Sequence, residues 1–251
     1  MLKRILSGVL ASCFALVAGD CWGAIVLTAA FPFYGTDFNT YDGTSGTVPV
    51  GWSAIGGGTF QGQGNGTSDS EGFWAYGGNG DFGLGVLRSD SLTLGYSVEF
   101  LNQTGATITG LVYAFDYKQW RFANASGLDL SGTGALAGNT LVNSQDFVGS
   151  ATGTNGTPVS STAVNFLTGL SIGNNESFGF TWLTTDDTGA DNGLAIDNFV
   201  LLSTIASPPD PTAVPEPSSL ALLTLCGLGG IAYRRKRSKS GPQADVEPNL
   251  A

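Results

Sequence analysis

TGLVYAFDYKQW, residues 109–120, decides the fold class. Val, Tyr, Phe and Trp crowd a run that is apolar on both sides, the pattern of a strand covered on both faces, and GLAIDNFVLL at 193–202 reads the same way. Around these runs lie stretches of strict alternation. Leu94, Tyr96, Val98 and Phe100 alternate with Thr93, Ser97 and Glu99, and Phe178, Phe180 and Trp182 alternate with Ser177, Gly179 and Thr181. Both are half-buried strands. Further short strands are expected around 25–28, 72–76, 82–88, 128–130, 141–148 and 164–172. Turn signals separate them at Asn65-Gly66, Asn79-Gly80, Asn155-Gly156 and Asp191-Asn192-Gly193.

No segment keeps a helical stripe. Glycine is abundant at 38 residues, charged residues are only 12% and aromatics 11%, which suits many turns between short strands. The expected fold is all-β: one antiparallel two-sheet sandwich of the jelly-roll kind, with no internal repeat to suggest a propeller or solenoid.

Charge placement excludes a class of function. Lys3 and Arg4 precede the first apolar run, and Arg234, Arg235, Lys236, Arg237 and Lys239 follow the last. Only Arg88, Lys118 and Arg121 lie between, against seventeen Asp and Glu from Asp37 to Glu216, a net charge of −14. Binding to nucleic acid needs cations to neutralise phosphate, so no nucleic-acid partner is expected. Cys13, Cys21 and Cys226 fall in or beside the end segments, so the middle of the chain has no disulfide. Histidine is absent, which removes Ser-His-Asp and Cys-His catalysis and His-ligated zinc.

Both ends read as addresses. Residues 1–23 place two cations before an apolar stretch from Ile5 to Val17 and then small residues, the pattern of a secretory signal peptide for Sec-type export and signal peptidase. Cleavage fits after Gly23 or after Gly19. A lipoprotein reading also exists, since Leu10-Ala11-Ser12-Cys13 fits a lipobox, but apolar residues continue past Cys13.

A passenger is expected over 24–206 and a Pro/Ser/Thr-rich spacer over 207–214. Pro215-Glu216-Pro217 then offers a rigid, extended strip. The apolar segment 218–233, expected as a short helix, falls short of the ~20 residues that span a bilayer comfortably. The basic cluster 234–239 (Arg234, Arg235, Lys236, Arg237, Lys239) stops transfer on the cytoplasmic side, leaving 240–251 as a disordered cytoplasmic tail.

At these residues the chain resembles the PEP-CTERM sorting tails of Gram-negative bacteria that make extracellular polysaccharide. The resemblance spans 215–239 and implies transient anchoring in the inner membrane, cutting near Pro215 to Pro217 by exosortase, and delivery to the cell surface or matrix. An ordinary tail anchor is the alternative that the apolar run and basic cluster alone allow. FNTYDGTSGTVPVGWS, YAFDYKQWR and TTDDTGADNGLAIDNFVLL are similar to segments of exported β-sandwich passengers on such tails, and Gly-Leu-Ala-Ile-Asp-Asn-Phe looks like the closing strand of MAM-type and lectin-like jelly rolls. Lys118 departs from that pattern, standing where an acidic residue commonly precedes Gln-Trp-Arg.

Two clusters are candidate sites. Asp186, Asp187, Asp191 and Asp197 crowd a turn with Asn192 and supply the oxygen ligands calcium takes, although the spacing is not that of an EF-hand. The other reading is a polar turn whose side chains accept backbone N–H bonds. Trp120 and Arg121 could stack on and hydrogen-bond to a sugar; the alternative is a packed Trp120 with Arg121 tying the sheets. The Asn-x-Ser/Thr triplets at Asn65, Asn102, Asn124, Asn155 and Asn175 read as solvated turns.

A glycan-active enzyme needs two placed carboxylates, and nothing nominates a pair. No catalytic residue is assigned. The leading expectation is a non-enzymatic surface or matrix component associated with exopolysaccharide and biofilm. A calcium-assisted carbohydrate-binding module comes second. Ice binding would want regular ranks of Thr, and the sequence shows no such repeat.

Overall fold

The computed structural model describes residues 23–88, 92–124, 126–141, 147–184 and 191–206. Thirteen strands in them build two sheets. One contains β1 (Ile25–Thr28), β3 (Trp52–Ile55), β7 (Gly95–Gln103), β9 (Gly127–Gly134), β10 (Phe147–Val148) and β12 (Ser177–Thr184), ordered β1-β7-β12-β9-β10 with β3 beside β7. The other contains β2 (Phe33–Thr36), β4 (Phe60–Gly64), β5 (Gly72–Gly78), β6 (Asp81–Leu87), β8 (Ile108–Arg121), β11 (Val159–Ile172) and β13 (Gly193–Ile205). Its order is β11-β8-β13-β6-β5-β4, with β2 beside β13. A one-turn 3-10 helix, Ser45–Thr47, is the sole helical element among the described residues.

Alternation builds the core. Tyr96, Val98, Phe100, Phe178, Phe180 and Trp182 point inward from the six-stranded sheet and meet Tyr113, Phe115, Ile196, Phe199 and Leu201 from the seven-stranded one. Phe199 has ring contacts with Tyr34, Trp52, Phe100, Phe180 and Trp182, so aromatic packing does the joining that no disulfide provides. The Asn79-Gly80 signal is a two-residue hairpin between β5 and β6. Its φ values of 57° and 85° are the left-handed pair that a type I′ turn requires.

The two-sheet sandwich is as the alternation predicts, with corrections in detail. The pairing is not wholly antiparallel: β1 joins β7, and β4 joins β5, in parallel. In the 141–148 window, β10 is limited to Phe147–Val148, and 142–146 lie outside the described residues. β13 is central, but β8 lies next to the edge and its outer face is only half-buried.

Asn102 is no solvated turn. Fully buried, it donates Nδ2–H to the carbonyls of Ala106, Ile172 and Gly173 and accepts from Thr104 N–H and Oγ1–H. It thereby pins the end of β7 to the end of β11, one strand from each sheet. The leader through residue 22, Pro215-Glu216-Pro217, the 218–233 segment and the basic cluster all lie outside the described residues. Among those described, no helix is long and apolar enough to cross a membrane.

Candidate functional site

The outward positions of the six-stranded sheet form a groove of about 280 Å³. Because Tyr96, Val98, Phe180 and Trp182 must face the core, their neighbours Ser97, Glu99, Gly179 and Thr181 face out. Register then places Ser53 of β3, Ser97 of β7, Thr181 of β12 and Ser131 of β9 in one rank across four adjacent strands. At the usual strand spacing that rank is about 14 Å long. Glu99, Gly179 and Thr133 make the next rank. A Cβ on Gly179 would sit 2.4 Å from the Val98 carbonyl oxygen and 2.7 Å from Thr133 Oγ1, so the floor there is bare backbone.

Beside Trp52, Ile55 and Val98, the polar side chains of this lining are mostly hydroxyls. Ser53, Ser97, Thr133 and Thr181 each offer one O–H donor and two lone pairs, while exposed Glu99 only accepts. The lining contains one carboxylate and no cation. It therefore suits a neutral ligand rich in hydroxyls and has nothing to pair with an anion. The outward direction of Ser97, Glu99 and Thr181 is legible in the sequence, but their meeting across strands is not.

The other sequence-nominated residues sit elsewhere. Trp120 is 8% exposed and packs with Trp74, Tyr76, Leu87 and Ala195 in a small second core on the outer face of the seven-stranded sheet. Its ring is covered, which corrects the reading of Trp120 as a sugar platform. Arg121 donates Nη1–H to the Ser68 carbonyl at 3.1 Å and holds down the segment after β4 instead of presenting its guanidinium to a ligand.

On the same outer face Lys118 bridges Asp197 and Asp81, the second at 3.2 Å. Burial opposes the Lys118 ammonium, but these carboxylates outweigh it and hold its pKa above the usual lysine value. Asp197 lies within β13, held in that ion pair. Asp191 is buried just before β13; Asp186 and Asp187 lie outside the described residues. Among the described residues no group of three metal-ligating side chains converges. Neighbouring Asn192, also buried, accepts Ala123 N–H at its side-chain oxygen at 2.7 Å and donates its own N–H to Ser126 Oγ, the turn-building role open to such residues.

Comparison with known proteins places one segment firmly. Residues 213–237 match the PEP-CTERM protein-sorting motif, so the chain carries the signal of an exported protein sorted to the cell surface. No curated protein matches the chain. Among solved structures, the chain is similar to TmCBM61 in complex with β-1,4-galactotriose (10% identity over 67% of this chain and 94% of that one, TM-score 0.35). It is also similar to the K3 cleaved adhesin domain of Lys-gingipain from Porphyromonas gingivalis (12% identity, 68% and 98%, TM-score 0.37). A third is the N-terminal CBM22-1–CBM22-2 tandem domain of Xyn10C from Paenibacillus barcinonensis (15% identity, 77% and 50%, TM-score 0.37).

Proposed function

We propose that this is a non-catalytic surface protein whose hydroxyl-lined groove holds a segment of neutral extracellular polysaccharide after the chain has been exported and cut at its sorting tail. The observation that carries the reading is the rank Ser53–Ser97–Thr181–Ser131 with Glu99 beside it. A sugar chain presents alternating donors and acceptors along its length, and side-chain hydroxyls can answer either. The net charge of −14 from Asp37 to Glu216 works against acidic polysaccharides, as like charges repel over several ångströms. One carboxylate in the groove supports binding over hydrolysis, which takes two.

In this reading signal peptidase removes residues 1–23, and the inner membrane holds the precursor by 218–233 until exosortase cuts near Pro215 to Pro217. The groove is tested with a panel of neutral and acidic glycans against protein recovered from the producing cells. Binding confined to neutral glycans is expected, with affinity falling at least about tenfold in Ser97→Val with Glu99→Gln while the melting temperature holds, because each lost hydrogen bond leaves a sugar hydroxyl unpaired. Equal binding by the variant would move the site off this groove, and no binding to any glycan would end the reading.

A further inference from the structure

β11 forms one edge of the seven-stranded sheet and, apart from an irregularity in its pairing after Thr168, lacks the ordinary protections of an edge. Its fourteen residues, VSSTAVNFLTGLSI, include no proline and no charge. Val159 to Thr168 pair with β8 in unbroken register, and among the described residues no strand pairs with the other side of β11. Such an edge is a template for another strand.

Two further observations say which strand. On the outer face Val164 is 49% and Phe166 63% exposed. Register carries them into an apolar patch, Val164–Ala114–Val200 in one rank and Phe166–Val112–Leu202–Phe33 in the next. On the inner face Asn165 is 2% exposed, yet neither its side-chain nitrogen nor its oxygen has a hydrogen-bond partner. A buried amide lacking both partners calls for a group that supplies one donor and one acceptor at once. A second amide does so.

We propose that β11 pairs antiparallel with β11 of a second copy about a two-fold axis through Asn165, joining two seven-stranded sheets into one. Directly opposed residues of an antiparallel pair share a face, so Asn165 comes to lie opposite Asn165 of the partner subunit, and each amide, enclosed by its own chain in the single copy, turns toward the seam to donate to the other's oxygen. The same register sets Val164 against the partner's Phe166, Thr162 against the partner's Thr168, and Ala163 against the partner's Leu167. Each of these three pairs is apolar with apolar or hydroxyl with hydroxyl. A chain as acidic as this one approaches its own copy best across an uncharged surface, and β11 is one. The two-fold uses both edges, so the assembly closes at two.

Sedimentation of the protein recovered from the cell surface, over a micromolar concentration range, tests this independently of any glycan. Two-chain mass is expected for the wild type. Val164→Lys or Phe166→Glu alone should raise the dimer dissociation constant at least about 100-fold by burying an unpaired charge, with the melting temperature unchanged when both proteins are compared dilute enough to be single chains, because both side chains are then exposed. The double variant should recover at least about tenfold of that loss, since the introduced lysine then faces the partner's introduced glutamate. A wild type that stays monomeric, a dimer insensitive to both single changes, or a double variant with no recovery would each overturn the proposal.

Discussion

Lys118 on β8 and Asp197 on β13 form an ion pair across the outer face of the seven-stranded sheet, and the aspartate has no exposure to solvent. The pair sits where β13 breaks register with β8, between Asp197 and Val200. Asn198 takes a left-handed φ of 51° there, gives its N–H to Asp197 Oδ1, and reaches Asp116 with its amide. This β-bulge leaves Asp197 on the outer face beside Lys118 while returning Phe199 to the core.

Stability should therefore depend on pH in an unusual direction at this residue. Burial pushes the Asp197 carboxyl from 3.8 up to about 6, against the pull of Lys118 and the Asn198 N–H. The folded chain holds this proton more tightly than the unfolded chain, so the group is neutral in its effect below about pH 4 and becomes destabilising as pH rises through 6. The loss at pH 7 approaches about 3 kcal/mol as an upper bound. Lys118, held above 10.5, contributes stability across this whole range and loses it only at alkaline pH. Calorimetry should show the wild-type melting temperature rising from pH 7 to pH 5, and rising less in Asp197→Asn. Other carboxylates act alike in both proteins, so identical slopes would mean that Lys118 offsets the burial completely.

Asn102 gives a second expectation. Replacing it with leucine removes the donor to three carbonyls and the acceptor for Thr104 at a site sealed from water. Buried groups left unpaired cost about 1–3 kcal/mol each, and part of that is recovered by local rearrangement, so a loss of about 3–5 kcal/mol is expected in denaturant titration. Asn65→Leu is the control, because Asn65 is exposed and accepts only within its own turn from Thr67. It should cost under about 1 kcal/mol. Similar losses at both positions would show that Asn102 does not join the sheets.

What the sequence discloses here is direction, and what it withholds is partnership. Tyr96 and Phe180 announce their inward faces by alternation alone, and Asn79-Gly80 announces its turn by the φ it needs. β2 and β4, FYGT and FQGQG, carry glycine and little alternation, and they are strands because β13 and β5 supply their hydrogen bonds. The same limit governs the groove. Ser97 and Thr181 are visibly outward, yet only register sets them side by side. Asp197 looks like one more oxygen on an acidic turn until the strand beside it proves to present Lys118.

The sorting tail yields the last prediction: Pro-Glu-Pro, and not the hydrophobicity that follows it, decides where the protein ends up. The apolar stretch 218–233 is short and interrupted by Gly227, Gly229 and Gly230, with a strong basic stop behind it. By length it is a loose anchor, adequate to hold a precursor for a time. Release then requires a cut on the outer side of the membrane, where Pro215 and Pro217 keep the backbone extended and open to an enzyme. Changing Pro215, Glu216 and Pro217 to alanine leaves the apolar stretch untouched while letting helix grow through the recognition strip. The variant should accumulate uncut in the inner-membrane fraction, while wild type reaches the outer surface or the medium with Arg234 to Lys239 gone from its intact mass. An epitope for following both forms belongs after Gly57, which is exposed with open space around it; Gly64, though in a glycine-rich stretch, lies in β4 against the Trp74 ring. If the two forms arrive at the surface equally, the motif does not direct the cut, and the basic, apolar end acts as a plain anchor.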